Sequence, residues 1–207
     1  MILSNRGIQK ALDTGRLVIR PEPQPRRPTV EHPNCPYNTT AVDLRLGRYL
    51  SIPRSGAFTY DLRRGGVASL LAAISDNVEL SPNGHTIEPG GFVLGQTLEY
   101  VALQILRKAR PLAARIEGRS SFARCGLLVH FTAPTVHAGF EGHLTLEMAN
   151  LGRSPITIFP EEPICQLILE VVEDAPFENP SQFQGQETPA GTKHKQSAKA
   201  RNRQARR

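Results

Sequence analysis

Glycine and proline punctuate this chain at intervals of about ten residues, and that spacing limits what it can fold into more than any other feature. From Ala41 onward, short runs rich in Val, Ile, Leu, Phe and Thr alternate with Gly, Pro, Asn and Asp, the pattern of strands joined by turns. The runs predict strands at 41–46, 49–52, 77–80, 92–103, 112–117, 126–133, 142–150, 155–159 and 164–172, with residues 67–75 as the one later stretch able to form a helix. With 17 Pro and 17 Gly among 207 residues, long uninterrupted helices have little room and a helical bundle is excluded. No internal repeat is visible, so a mainly β, closed or nearly closed sandwich is expected rather than a solenoid. A hydrophobic fraction of 39% suffices for one core, which makes residues 1–186 the expected single domain.

Two segments precede the strands. Ser4 can cap a short helix that carries Ile8, Ala11 and Leu12 on one face and ends at Gly15, so that face should dock on the core. Residues 20–38 hold six prolines, which block helix and ladder hydrogen bonds and predict an extended surface loop. No apolar run approaches the ~18 residues of a membrane span. The start MILSNRGIQKAL lacks the apolar stretch of a signal peptide, so a cytoplasmic protein with no membrane partner is expected.

The net charge of +6 resembles a nucleic-acid signature until it is divided along the chain. Residues 187–207 hold seven basic groups against Glu187 and account for all of it, leaving 1–186 with 18 charges of each sign. A terminal run of like charges with no large apolar residue cannot bury a core and is expected to be disordered. Such runs attract phosphate without reading sequence, so no specific nucleic-acid partner is expected. Cys35, Cys125 and Cys165 form neither a disulfide framework nor a C-x-x-C zinc knuckle; each reads as a small apolar filler, Cys165 most clearly.

Two segments carry chemistry. In HLTLEM, alternation places Leu144, Leu146 and Met148 on one side of a strand and His143, Thr145 and Glu147 on the other, so Glu147 lies away from the core. In EGRSSFARCG, Arg119, Ser120, Ser121 and Arg124 follow Gly118. Hydroxyls, the exposed N–H groups of a short helical turn and planar arginine forks together suit a polyphosphate.

These motifs, with MILSNRGIQKAL, VDLRLG (42–47), PGGFVLGQTLEYVAL (89–103), EGRSSFARCGLLVHFTAP (117–134), AGFEGHLTLEMANLG (138–152) and FQGQ (183–186), resemble the dCTP deaminase family of the trimeric dUTPase superfamily. The resemblance covers roughly residues 1–190. It implies a distorted β-barrel or jelly-roll subunit with few helices, assembled as a homotrimer with nucleotide sites at the subunit interfaces. It also implies dCTP or dUTP as ligand and, position by position, roles for individual residues. Glu147, Ser120 and Arg124 would be catalytic; Arg119, Ser121, Ala133, Thr145, Leu146 and Gln186 would contact the nucleotide; Phe177 falls near a tyrosine that covers it.

Hydrolytic deamination of cytosine needs a proton at ring N3, a water at C4 and a proton for the departing ammonia, which one carboxyl can shuttle. Glu147 fits that role. Zinc deaminases use H-x-E and P-C-x-x-C ligands, and neither motif occurs; no zinc is expected, and Mg2+ would enter only with the triphosphate. The expected product is dUTP with ammonia. The alternatives are a dUTP diphosphatase, a bifunctional dUMP-forming deaminase, or a nucleotide-binding protein without turnover.

Three positions depart from the family pattern. His137 stands where an aspartate commonly meets the sugar 3′-hydroxyl and, in dUTPases, helps activate water; Gln182 replaces a lysine that contacts phosphate; and residues 104–115 are longer than the usual link before the motif. Deleting residues 191–207 is expected to leave the melting temperature and the elution volume in size-exclusion chromatography unchanged. A large drop in either would show that the tail has contacts with the fold.

Overall fold

A computed structural model describes residues 1–54, 56, 61, 63, 66–130, 132–174, 176–177 and 183–190. Helix α1 spans Asn5–Asp13, with Ser4 in extended conformation as its N-cap, accepting from the Gly7 N–H. Ile8 and Ala11 are fully buried, and Gly15 turns the chain out of the helix at φ +70°, a conformation glycine adopts without cost. Strand β1 (Leu17–Arg20) follows. The proline-rich segment after it is a loop, as expected, but a tethered one. Arg26 reaches Asp13 of α1 and Glu22, both at 2.6 Å, and the Tyr37 hydroxyl donates to Glu22. Hydrogen bonding from the Arg26 guanidinium holds the Glu22 carboxyl below the usual carboxylate range.

The remaining elements are β2 (Val42–Arg45), β3 (Tyr49–Pro53), α2 (Val67–Ile74), β4 (Ser75–Glu79), β5 (His85–Ile87), β6 (Phe92–Leu103), β7 (Leu112–Gly118), α3 (Ser120–Ala123), β8 (Leu127–Val129), β9 (Thr135–Val136), β10 (Glu141–Asn150), β11 (Ile156–Ile158) and β12 (Pro163–Val171). One sheet runs β4-β3-β6-β10-β8, with β1 on the far half of β6; a second runs β2-β12-β7-β9; β5 and β11 form a two-stranded ladder. Every pairing is antiparallel. This is the mainly β architecture with a short N-terminal helix and few others that the turn spacing calls for. The chain's first residues join it: Leu3 N–H donates to the Leu169 carbonyl, Val171 N–H donates to that of Met1 at 3.0 Å, and Ile2 bridges Glu170.

The facing sides of the two sheets build one core. Leu44, Leu46 and Leu50 meet Ile116, Leu144, Leu146, Met148, Leu167 and Leu169 there, with Ile8 of α1 against them. Cys165 belongs to this core, and its burial pushes the thiol well above its ordinary range, as befits an inert filler. Cys125 does not: it is exposed, because it follows α3 in a surface turn.

The structure shortens one expected strand and adds three. The strand expected over 126–133 stops at Val129, because His130 takes φ +56°, outside strand geometry; Phe131 lies outside the described residues. Strands β1, β5 and β9 were not expected, being too short, at two to four residues, to show alternation.

A buried charge joins the sheets. Glu99 of β6 is 0% exposed and accepts from both the backbone N–H (2.9 Å) and Nε (2.7 Å) of Arg45 on β2. Removing one partner of such a pair leaves an uncompensated buried charge. Arg45→Met is therefore expected to lower stability by about 3 kcal/mol in urea unfolding, and adding Glu99→Gln should recover part of the loss. Equal midpoints for the single variant and the parent would contradict this.

Candidate functional site

β10 places Glu147 by the alternation read from its sequence. Leu144, Leu146 and Met148 are at most 3% exposed in the core, so Thr145 and Glu147 project from the opposite face. Opposite Glu147 on one side is Leu94 of β6; on the other, the His130 N–H donates to the Glu147 carbonyl at 2.8 Å. The left-handed backbone of His130 brings its ring back over the strand. Nε2 lies 2.7 Å from the Ala133 carbonyl and Nδ1 2.6 Å from Glu147 Oε2. A carbonyl only accepts, so Nε2 donates to it. The arrangement holds a carboxyl group, a third of its side chain exposed, beside a fixed backbone carbonyl.

The second group sits on α3. The Arg119 backbone N-caps this turn. Its guanidinium donates to the Pro163 carbonyl at 3.3 Å, lies 3.8 Å from Asp43 and rests over the Phe122 ring. Asp43 is held in turn by Gln166 and Asn38, a cluster the sequence reading did not single out. Ser120, Ser121 and Arg124 are exposed, and among the described residues neither serine hydroxyl has a partner. Arginine and free hydroxyls on an exposed turn are donors suited to phosphate oxygens.

The structure thus brings Glu147, Ala133 and Thr145 together and adds His130, which the sequence analysis did not single out. No hydrogen bond or ion pair among the described residues joins 119–124 to that group. Leu146 is fully buried, so only its backbone can face a ligand. His137 is exposed, with its backbone carbonyl accepting from Phe140. Phe177 is 89% exposed. Gln186 is tied to β10 instead of standing free: its Nε2 donates to the His143 carbonyl at 2.6 Å, and its backbone packs where a Cβ on Gly142 would lie. Gln182 lies outside the described residues. Among those residues, no group of three or more His, Cys, Asp or Glu side chains is placed to hold a metal ion, and no helix is long and apolar enough to cross a membrane.

The chain belongs to the dCTP deaminase-like family, which it matches over residues 2–172. A protein of Corynebacterium kroppenstedtii named "dCTP deaminase, dUMP-forming" is 34% identical over 200 residues, 93% of this chain and 97% of that one. Proteins of the same name from Dictyoglomus thermophilum and Methanothermobacter thermautotrophicus are 38% identical (81% of this chain, 78% of that one) and 30% identical (97% and 98%). In fold, the chain is similar to the crystal structure of 2′-deoxycytidine 5′-triphosphate deaminase from Agrobacterium tumefaciens. That likeness has a TM-score of 0.58 and 20% identity, covers 83% of this chain, and spans about half of that one, at 48%.

Two glycines flank α3 with different demands. At Gly126, φ is +97° and a Cβ would lie 2.3 Å from the Gly152 nitrogen; at Gly118 the nearest atom would be Val129 Cβ at 3.4 Å, an ordinary contact. The fold therefore needs glycine at 126 and not at 118. Gly126→Ala is expected to cost about 2 kcal/mol or more, seen as a lowered melting temperature, while Gly118→Ala should melt near the parent. The reverse order would contradict this geometry.

Proposed function

We propose that this protein deaminates dCTP and carries the resulting nucleotide on to dUMP, releasing ammonia and pyrophosphate. The observation that carries the reading is the Glu147 carboxyl, turned out from β10 and held 2.6 Å from His130, whose ring is anchored to the Ala133 carbonyl. Water adds to C4 of the cytosine as Glu147 takes its proton and delivers it to N3. Collapse of the adduct expels the amine, protonated through the same carboxyl, and leaves a uracil ring. The Ala133 carbonyl has a second lone pair with which to accept from the attacking water. His130 acts through Glu147 as a positioning residue.

Arg119, Ser120, Ser121 and Arg124 are the groups for the triphosphate, and Mg2+ enters with that substrate. In one chain Arg119 of this turn faces the second sheet's Asp43 and Pro163, whereas Glu147 lies on the outer face of the first. A homotrimer whose interfaces unite one copy's turn with another copy's β10 accounts for this division.

The product differs from the sequence expectation of dUTP. The relatives described above are all named dUMP-forming, which favours continued cleavage of dUTP at the α-phosphate. His137, in place of the aspartate expected to orient the second water, supports release of dUTP as the second reading.

Incubation with dCTP, following ammonia and pyrophosphate separately, should give equal amounts of each. Ammonia without pyrophosphate would restore dUTP as the product, and pyrophosphate without ammonia would leave a diphosphatase. Glu147→Gln keeps the shape of the side chain but cannot carry the proton. It is expected to lower ammonia release by about 10²–10⁴-fold with nucleotide affinity within a few-fold of the parent. Normal turnover by that variant would make Glu147 a structural residue.

A further inference from the structure

Three buried oxygens without partners lie along two rungs of the sheet that share the face of Glu147. Thr145 and Gln96 are directly opposite each other in the β10–β6 ladder, and neither Thr145 Oγ1 nor Gln96 Oε1 has a hydrogen-bond partner. Two rungs on, Glu147 faces Leu94 and Leu94 faces Ser51 of β3; Ser51 is 0% exposed and its Oγ is also unpartnered. Gln96 is 8% exposed.

The face these residues occupy is settled by Gly95 between them. A Cβ on Gly95 would meet Met148, Leu46 and Leu50 of the core, so Leu94 and Gln96 point the other way, as Glu147 does. Gln96 is also fixed at its base: Gly47 donates its N–H to the Gln96 carbonyl at 2.8 Å, and a Cβ on Gly47 would lie 3.4 Å from Gln96 Cγ. Buried polar side-chain atoms nearly always find partners, and cross-strand neighbours stand about 5 Å apart. The unpaired oxygens of the facing residues Thr145 and Gln96, with that of Ser51 one strand further on across Leu94, are partners for a polar ligand beside the Glu147 carboxyl.

We propose that Gln96 reads the pyrimidine ring of the bound nucleotide, with the hydroxyls of Thr145 and Ser51 beside it, and so determines specificity for the base. The inference rests on the reading that the Glu147 face receives that base. An amide and two hydroxyls carry no charge, so they match the carbonyl, ring-nitrogen and amine edge of a neutral pyrimidine. A triphosphate is matched instead by the arginines of α3.

The test compares binding of dCTP and of inorganic tripolyphosphate, which has the phosphates and no base, by calorimetry in a Glu147→Gln background where nucleotide is not consumed. Gln96→Met, similar in volume but without the amide, is expected to weaken dCTP about tenfold, the loss of one to two hydrogen bonds. Tripolyphosphate affinity and melting temperature should stay unchanged. Gln96→Asn, which keeps the amide and retracts it by one methylene, should fall between and serves if the Met variant folds poorly. The proposal is overturned if both variants bind dCTP within twofold of the parent, if tripolyphosphate affinity falls in parallel, or if the parent binds dCTP no better than tripolyphosphate. Should the protein without the Glu147 change release no ammonia from dCTP, the deaminase reading fails, while the base preference of Gln96 is still decided by these affinities.

Discussion

The pairing of β10 with β6 is the constraint on which both the core and the site depend. Side chains alternate with a period of two, so one strand supplies Leu144, Leu146 and Met148 to the interior and Thr145 and Glu147 to the outer face. A slip of one residue would bury Glu147 and expose Leu146. The register is pinned at the irregularity between His143 and Thr145, where Thr97 intervenes. Its hydroxyl accepts from the Leu144 N–H at 3.0 Å and donates to the Glu99 carbonyl at 2.7 Å. The extra length of β6 at that point is absorbed by one side chain, which gives the Leu144 N–H its acceptor.

Position between the sheets is set by charge as well as by packing. Glu99 belongs to the sheet that carries Glu147, and Arg45 to the strand that carries Asp43, the partner of Arg119. One buried carboxylate therefore relates the face that carries Glu147 to the arginine turn through a few covalent bonds on either side. Buried ion pairs of this kind are a weak source of stability, and here the pair's evident effect is geometric.

Much of this was legible because period and punctuation are local properties. The 92–103 strand has the bounds read from its apolar run, the Ser4 cap and the Gly15 stop are where their chemistry puts them, and the sidedness of Glu147 follows from its neighbours. What was not legible depends on non-local geometry. His130 looks like any strand residue until its backbone turns left-handed, and only that turn carries its ring to Glu147. Gln96 and Ser51 acquire meaning from lacking partners, a property of the folded surroundings and not of their spacing. Cys125 is chemically like Cys165, and its exposure is decided by which side of a turn it occupies. The hydrogen bond from the Gln186 amide to the His143 carbonyl likewise joins residues that no local pattern relates.

The hydrogen bond from the Val171 N–H to the Met1 carbonyl has a bearing on how this protein is made. The segment Met1–Leu3 is stitched into a strand that is synthesised long after it. The bridge between Ile2 and Glu170 joins residues 168 positions apart, the kind of distant contact that slows folding. Strand β2 likewise waits for β12, its ladder partner. During translation the early strands must persist with open edges until residue 171 emerges, so the vulnerable species is the nascent chain, and its dependence on chaperones should exceed that of the finished protein.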